Sequence, residues 1–230
     1  MKVLIEDLRK SNSERFTLNI EKLELDEGRI YAVLGPNGSG KTTLMRLICG
    51  LEKPDCGRIK YGDSFEAPSG EVAFLLQSPY LFSLSVLENV LLGIGSKDHE
   101  SVKRAMNLLE EVGMKEYAHA KASTLSGGEA QKVAIARTLA RKRQLVLLDE
   151  PAAPIDISSI GQIEDFIKKF NVNYGSTIIF STHNPSQAAR IADEVLIMWD
   201  GSVIERGRAA DVLSSPRSDE TRQFLENWRI

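Results

Sequence analysis

Residues for metal or redox chemistry are scarce in this chain: 230 residues carry two cysteines and three histidines, and neither type is clustered. Cys49 and Cys56 flank an expected helix end without the spacing of a zinc site or a dithiol pair, so they read as buried or incidental thiols. Long apolar runs are missing as well. The stretches 30–34 (IYAVL) and 145–148 (LVLL) fall far short of the ~18 residues that a membrane span needs. The opening MKVLIEDL meets Glu6 and Asp7 before any secretory-type apolar segment forms, so the chain is expected to stay in the cytoplasm. Excess positive charge is absent too, with 29 Lys plus Arg against 32 Asp plus Glu and a net charge of -3. Nucleic acid is therefore not the expected partner. No internal repeat or low-complexity tract is visible.

What remains is an ordinary globular composition, 42% hydrophobic and 27% charged, long enough for one large domain or one domain with a substantial insertion. The chain turns on residues 35–43, GPNGSGKTT, between the apolar run 30–34 and the helical-looking 44–51. Gly35, Gly38 and Gly40 remove Cβ atoms where a backbone wraps closely around an anion, and with Pro36, Asn37 and Ser39 they form a loop whose N–H groups point at phosphate oxygens. A helix starting near Lys41 adds the positive end of its dipole. Lys41 reaches the β and γ phosphates, Thr42 offers a hydroxyl to Mg²⁺, and Thr43 closes the motif. This pattern is a P-loop for a nucleoside triphosphate.

Around it the chain alternates. Residues 2–8 and 16–25 read as strands separated by a polar turn at 11–14, and Gly28 precedes the strand 30–34. Short strands are expected at 58–61 and 71–76. Residues 85–143 then turn helical: Val102, Ala105, Met106, Leu109 and Val112 share one face before Gly113. A second helix begins near Ser126, carries Val133, Ala136, Leu139 and Ala140, and ends in the basic run 141–143, read as a solvated, dipole-matched terminus. Strands at 145–148, 177–181 and 195–199 alternate with helices at 160–170 and 187–192, which indicates parallel pairing. Asp200-Gly201 marks a two-residue hairpin to a strand at 202–204. The fold class is α/β: a P-loop NTPase core with a mainly parallel sheet, an antiparallel β element and a helical insertion. Residues 1–84 and 144–208 make the core, 85–143 the insertion, and 209–230 a helical tail of a single domain.

The run LVLLDEP (145–151) is a buried-type strand ending in two carboxylates. Asp149 is placed to hold Mg²⁺ directly or through water. Glu150 is left to orient and deprotonate an attacking water. LSGGEAQ (125–131) opens the second helix of the insertion, where Ser126 can cap it and Gly127 and Gly128 leave N–H groups at its positive end. Taken alone, Gln77 is an ordinary polar residue after a strand. His183 lies just beyond the strand 177–181, at the sheet edge where ligands collect, whereas His99 and His119 sit in polar stretches.

With these pieces the sequence resembles the ATP-binding subunit of ATP-binding cassette (ABC) transporters from residue 1 to about 207. Five elements occur in that family's order: the Walker A loop 35–43, Gln77 of the Q-loop, the signature 125–129, the Walker B strand 145–150 and His183 of the H-loop. The resemblance implies ATP and Mg²⁺ as cofactors, with Gln77 touching Mg²⁺ or the nucleophilic water and His183 contacting the γ phosphate. It also implies a homodimer, in which Ser126, Gly127 and Gly128 of one copy close over ATP held by the Walker A loop of the other. Further implied partners are transmembrane permease subunits that dock around 77–90 and, in the full system, an extracytoplasmic solute-binding protein. The subunit is then peripheral on the inner face of the cell membrane. A soluble ABC ATPase acting on DNA or ribosomes is the alternative; those families typically insert a long coiled coil or join two cassettes in one chain, and neither occurs within these 230 residues.

Two positions depart from the family pattern. Asn12 stands where an aromatic ring usually stacks on adenine, with Phe16 nearby, and Ala153-Pro154-Ile155-Asp156 stands where Ser-Ala-Leu-Asp is common. The stretches 126–141 and 181–193 look most similar to importers of tungstate- or molybdate-like oxyanions.

Overall fold

The computed structural model describes residues 1–13 and 16–228. The side chains of residues 12–16 lie outside what it describes, and with them the expectation for adenine at Asn12 and nearby Phe16. The chain opens with β1 (Val3–Ser13), β2 (Phe16–Leu25) and β3 (Ile30–Leu34), and a glycine-rich loop leads into α1 (Lys41–Ile48). β4 (Cys56–Tyr61) and β5 (Val72–Leu75) precede α2 (Val86–Ile94), α3 (His99–Glu111) and α4 (Gly127–Thr138). There follow β6 (Leu145–Asp149), α5 (Ile157–Tyr174), β7 (Thr177–Thr182), α6 (Pro185–Ile191), β8 (Glu194–Trp199), β9 (Ser202–Arg208), α7 (Ala209–Ser214) and α8 (Asp219–Glu226).

Two sheets result. The larger runs β5-β6-β7-β3-β8-β9, parallel except for the antiparallel β8–β9 pair, and the smaller runs β2-β1-β4, all antiparallel. The inner strands of the larger sheet are apolar without alternation because both faces are covered. In β3, Ile30, Ala32 and Leu34 enter the core shared with the helices, while Tyr31 and Val33 enter the one shared with α1 and the small sheet. The same period of two divides Val146 and Leu148 from Leu145 and Leu147 in β6. Helix α1 is sandwiched between the sheets through Leu44, Met45, Leu47 and Ile48, all buried, and this anchors the loop before it.

The helical side is fastened by caps and close contacts. Ser85 and Glu88 form a capping box at α2, and Gly95 closes that helix at φ 81°. Gly93 lets α2 approach α4: a Cβ there would lie 2.2 Å from the Arg137 carbonyl oxygen and 2.9 Å from Ala140 Cβ. Gly93→Ala is expected to destabilise the fold by about 1–3 kcal/mol through overpacking. The measurement is a lower urea midpoint at unchanged slope.

The structure corrects three expectations. Residues 11–13 are not a turn, because β1 continues to Ser13 and pairs with β2 there. Helix α4 stops at Thr138, so Leu139 and Ala140 follow it and the basic run 141–143 is not its last turn. Arg141 donates instead to the carbonyl of Ile94 (2.6 Å) and Arg143 to that of Gly70 (2.7 Å), satisfying backbone acceptors of neighbouring segments. Finally, the start of the helical region holds a helix of its own, α2, whose apolar residues lack a simple polar face. The Asp200-Gly201 hairpin is present with both residues at positive φ (47° and 78°), but its second strand runs on to Arg208.

Candidate functional site

Four neighbouring parallel strands end at one edge; β5, β6 and β3 deliver parts of one cleft, and β7 places His183 in a pocket beside it that shares Glu150. Across the order β5, β6, β7 and β3 these ends are Gln77, Asp149-Glu150, His183 and the 35–40 loop. Such a carboxyl edge is where open α/β sheets bind ligands. The cleft has a volume of about 560 Å³ and is lined by Asn37, Gly38, Gly40, Lys41, Thr42, Thr43, Gln77 and Glu150.

The loop is shaped by glycine. At Gly35 (φ 150°) a Cβ would sit 2.2 Å from the Met198 carbonyl oxygen, so the backbone can lie against β8 only without a side chain. Gly40, at φ 102°, begins α1 with no side-chain cap. The start of that helix, the positive end of its dipole, is presented to the cleft at Gly40, Lys41 and Thr42, where it favours an anion. Ser39 is buried and its Oγ has no hydrogen-bond partner, an orphaned donor inside the loop. Lys41 is buried and donates to the carbonyls of Gly35 (2.8 Å) and Pro36 (3.0 Å). Burial pulls its pKa below the usual lysine value, opposed by the carboxylates of Glu150 and Asp149.

The acidic pair divides into two environments. Asp149 is 1% exposed and accepts from Thr42 Oγ1 (2.8 Å) on one oxygen and from Ser181 Oγ on the other. Glu150 leaves β6 at φ 46°, a left-handed conformation costly for a residue with a Cβ, and its N–H donates to Ser181 Oγ (2.9 Å). That turn aims the Glu150 side chain into the cleft, and on the side of the adjoining pocket it meets His183 Nδ1 at 3.3 Å, so His183 reaches this site through Glu150 and is not part of the cleft lining itself. Ser181 is a residue the motif reading missed. The hydroxyl on β7 sits between the two carboxylate residues, and its only trace in the sequence is a polar pair, Ser181-Thr182, ending an apolar strand.

Ser126, Gly127 and Gly128 do not line this cleft. They open α4, where Ser126 and Glu129 form a capping box: Ser126 Oγ accepts from the Glu129 N–H, and Glu129 accepts from the Ser126 N–H at 2.8 Å. The helix start is tied to the loop after β6. A Cβ on Gly128 would lie 2.7 Å from the Pro154 carbonyl oxygen, Gln131 donates to the Pro151 carbonyl (3.1 Å), and Lys132 bonds Asp156 (3.2 Å) and Ser159 (2.6 Å). Asp156 caps α5, and hydrogen bonds from Ser158, Ser159 and Lys132 hold its carboxyl well below the usual carboxylate range.

Fold and cleft together define a P-loop ATPase of the α/β class. Residues 18–153 match the family model described as ABC transporter, and the chain belongs to that family as an ATP-binding, ATP-hydrolysing domain. It is 34% identical over 233 residues to a probable sulfate/thiosulfate import ATP-binding protein of Chlorella vulgaris, covering 98% of this chain and 99% of that one. It is 34% identical over 209 residues to the tungstate uptake system ATP-binding protein of Peptoclostridium acidaminophilum (89% and 98% covered). With the molybdenum import ATP-binding protein of Mycobacterium tuberculosis it shares 36% over 219 residues, spanning 87% of this chain and 59% of the relative. Other relatives are named for L-cystine and for spermidine/putrescine import. Among solved structures, a dimeric ATP-binding cassette in a post-hydrolysis state with ADP and phosphate superposes with a TM-score of 0.79 at 27% identity, over 90% of this chain and 98% of that one.

Proposed function

We propose that the chain is the ATPase subunit of a membrane importer, working as a homodimer whose ATP-driven closure and reopening move permease subunits. The observation that carries this reading is the convergence of Lys41, Glu150 and Gln77 on one cleft at the sheet edge, with Ser126, Gly127 and Gly128 held outside it on a separate helix start. A cleft that has the phosphate loop and the base but not the second anion site is half a site. A second copy supplies the rest.

In this reading the N–H groups of the 35–40 loop and the start of α1 bind the β and γ phosphates, with Lys41 as point charge. Glu150 takes a proton from the attacking water, and His183, set beside Glu150, contacts the γ phosphate. The donors at Thr42, Asp149 and Gln77 are all hard oxygens or can present one, and no three His, Cys, Asp or Glu side chains are placed to hold a metal ion by themselves among the described residues. That suits Mg²⁺, which takes few protein ligands and fills its shell with phosphate oxygens and water. When bound, the ion neutralises charge on the phosphates.

The permease surface is assigned to residues 77–90, with Leu76 at its margin. Leu76, Tyr80 and Phe82 expose 42%, 68% and 48% of their surface there, an apolar patch beside Gln77 that suits a partner from the membrane. No helix among the described residues is long and apolar enough to cross a membrane, so attachment at the inner face falls to the permease. An extracytoplasmic binding protein completes the system, and the cargo class assigned is a tungstate- or molybdate-like oxyanion, supported by the names of two relatives. Co-purification with a hydrophobic subunit, and with a binding protein that prefers tungstate to cystine, is the expected result. ATPase stimulated by nucleic acid without such a partner overturns it.

The dimer has its own test. Specific ATPase activity of the purified subunit should rise with protein concentration and level off as dimers fill. Full-rate hydrolysis that is independent of concentration would sink the shared site.

A further inference from the structure

The segment after β9 returns to the sheet edge beside the cleft, where it meets His183. Helix α8 is pinned at its start, where Glu205 of β9 accepts from the N–H groups of Arg217 (2.9 Å) and Ser218 (3.2 Å). Ser218 caps the helix, and Phe224 and Leu225 are buried in the helical core. One turn later the backbone N–H of Trp228 donates to the Leu225 carbonyl (3.0 Å), and its indole sits 5.7 Å from the His183 imidazole, centroid to centroid, tilted by 40°.

The His183 side chain is 46% exposed, and Glu150 is its charged neighbour at 3.3 Å. The terminal torsion of a histidine is broad and has no strong preference of its own, so neighbours must fix the ring. A base that turns to its water lets go of the imidazole, and the indole contact then remains to hold it. The geometry points to Trp228 as a positioning residue that orients His183 for the γ phosphate. This rests on the role proposed above for His183. Trp228 does not touch nucleotide; it acts through the imidazole.

The test uses the full chain with Trp228→Ala, Trp228→Phe and His183→Ala. Trp228→Ala is expected to lower kcat about threefold to tenfold, the range of an aromatic pair contact, with KM for ATP and the melting temperature little changed. Trp228→Phe restores kcat to within about twofold, because a ring is kept. In a Glu150→Gln background, ATP but not ADP should shift the tryptophan emission that Trp228→Phe removes, and His183→Ala should abolish that shift. Wild-type kcat in Trp228→Ala, or an unchanged emission shift without His183, overturns the proposal. If His183→Ala itself turns over normally, the reading of His183 falls; if it is impaired while Trp228→Ala is normal, only the role of Trp228 does.

Discussion

Glu150→Gln lowers steady-state ATP turnover by about 10² or more while ATP still binds with near-normal affinity. The amide fills the same volume and can still face His183, so the positive-φ turn at residue 150 and its N–H bond to Ser181 are undisturbed. What is lost is the ability to accept a proton from water. Asp149 cannot take over. Its two oxygens already accept from Thr42 and Ser181, and it is almost wholly enclosed. Equilibrium binding of ATP together with single-turnover hydrolysis separates the effects, and near-normal turnover in the variant would remove Glu150 from the base role. Because binding persists while cleavage does not, the variant should also accumulate an ATP-dependent dimer by size exclusion. Asp149→Asn is the informative contrast: it disturbs the bonds to Thr42 and Ser181, so nucleotide binding and stability should fall together with turnover.

The contrast between the two carboxylates shows what the sequence could and could not reveal. The P-loop, the Walker B strand and the alternation of strands and helices are local patterns, and each is readable because a short run of residues must satisfy one periodicity or one ligand geometry. The convergence of Gln77, Glu150 and His183 at one sheet edge is likewise implied once the strands are parallel, since all their carboxyl ends then point the same way. Illegible were contacts that depend on register between distant strands. Ser181 meets Asp149 because Asp149 is paired with Ser181 across β6 and β7, and nothing within either strand announces it. The same holds for Arg141 and Arg143, whose basic run looks like a helix terminus until α4 is seen to stop at Thr138 and the guanidinium groups are found on the Ile94 and Gly70 carbonyls. Trp228 was silent for a third reason: a lone aromatic near the end of a polar helix has no pattern, and its partner lies forty-five positions earlier in sequence.

Lys41→Ala is expected to weaken ATP binding by about 10² or more, a larger loss than any other single change in the loop produces at comparable cost to folding. The ammonium is buried and, without nucleotide, is held by the carbonyls of Gly35 and Pro36. It is thus already desolvated and aimed, and little must be reorganised when phosphate arrives. Burial lowers its pKa, but Glu150 and Asp149 act in the opposite direction and favour the charged form. Removal has two consequences that a titration can separate. The first is loss of a charge-assisted bond to phosphate, which weakens ATP more than ADP because the γ phosphate loses its share. The second is structural, since two carbonyls lose their donor and α1 loses part of its tie to the loop. Lys41→Arg keeps the charge but carries a planar fork that cannot follow the narrow path past Gly35 and Pro36, so it should bind poorly despite its charge. Isothermal titration with ATP and ADP, beside thermal melts of each variant, checks the ordering. Tight ATP binding by Lys41→Ala at unchanged stability would mean that the loop amides alone hold the phosphates.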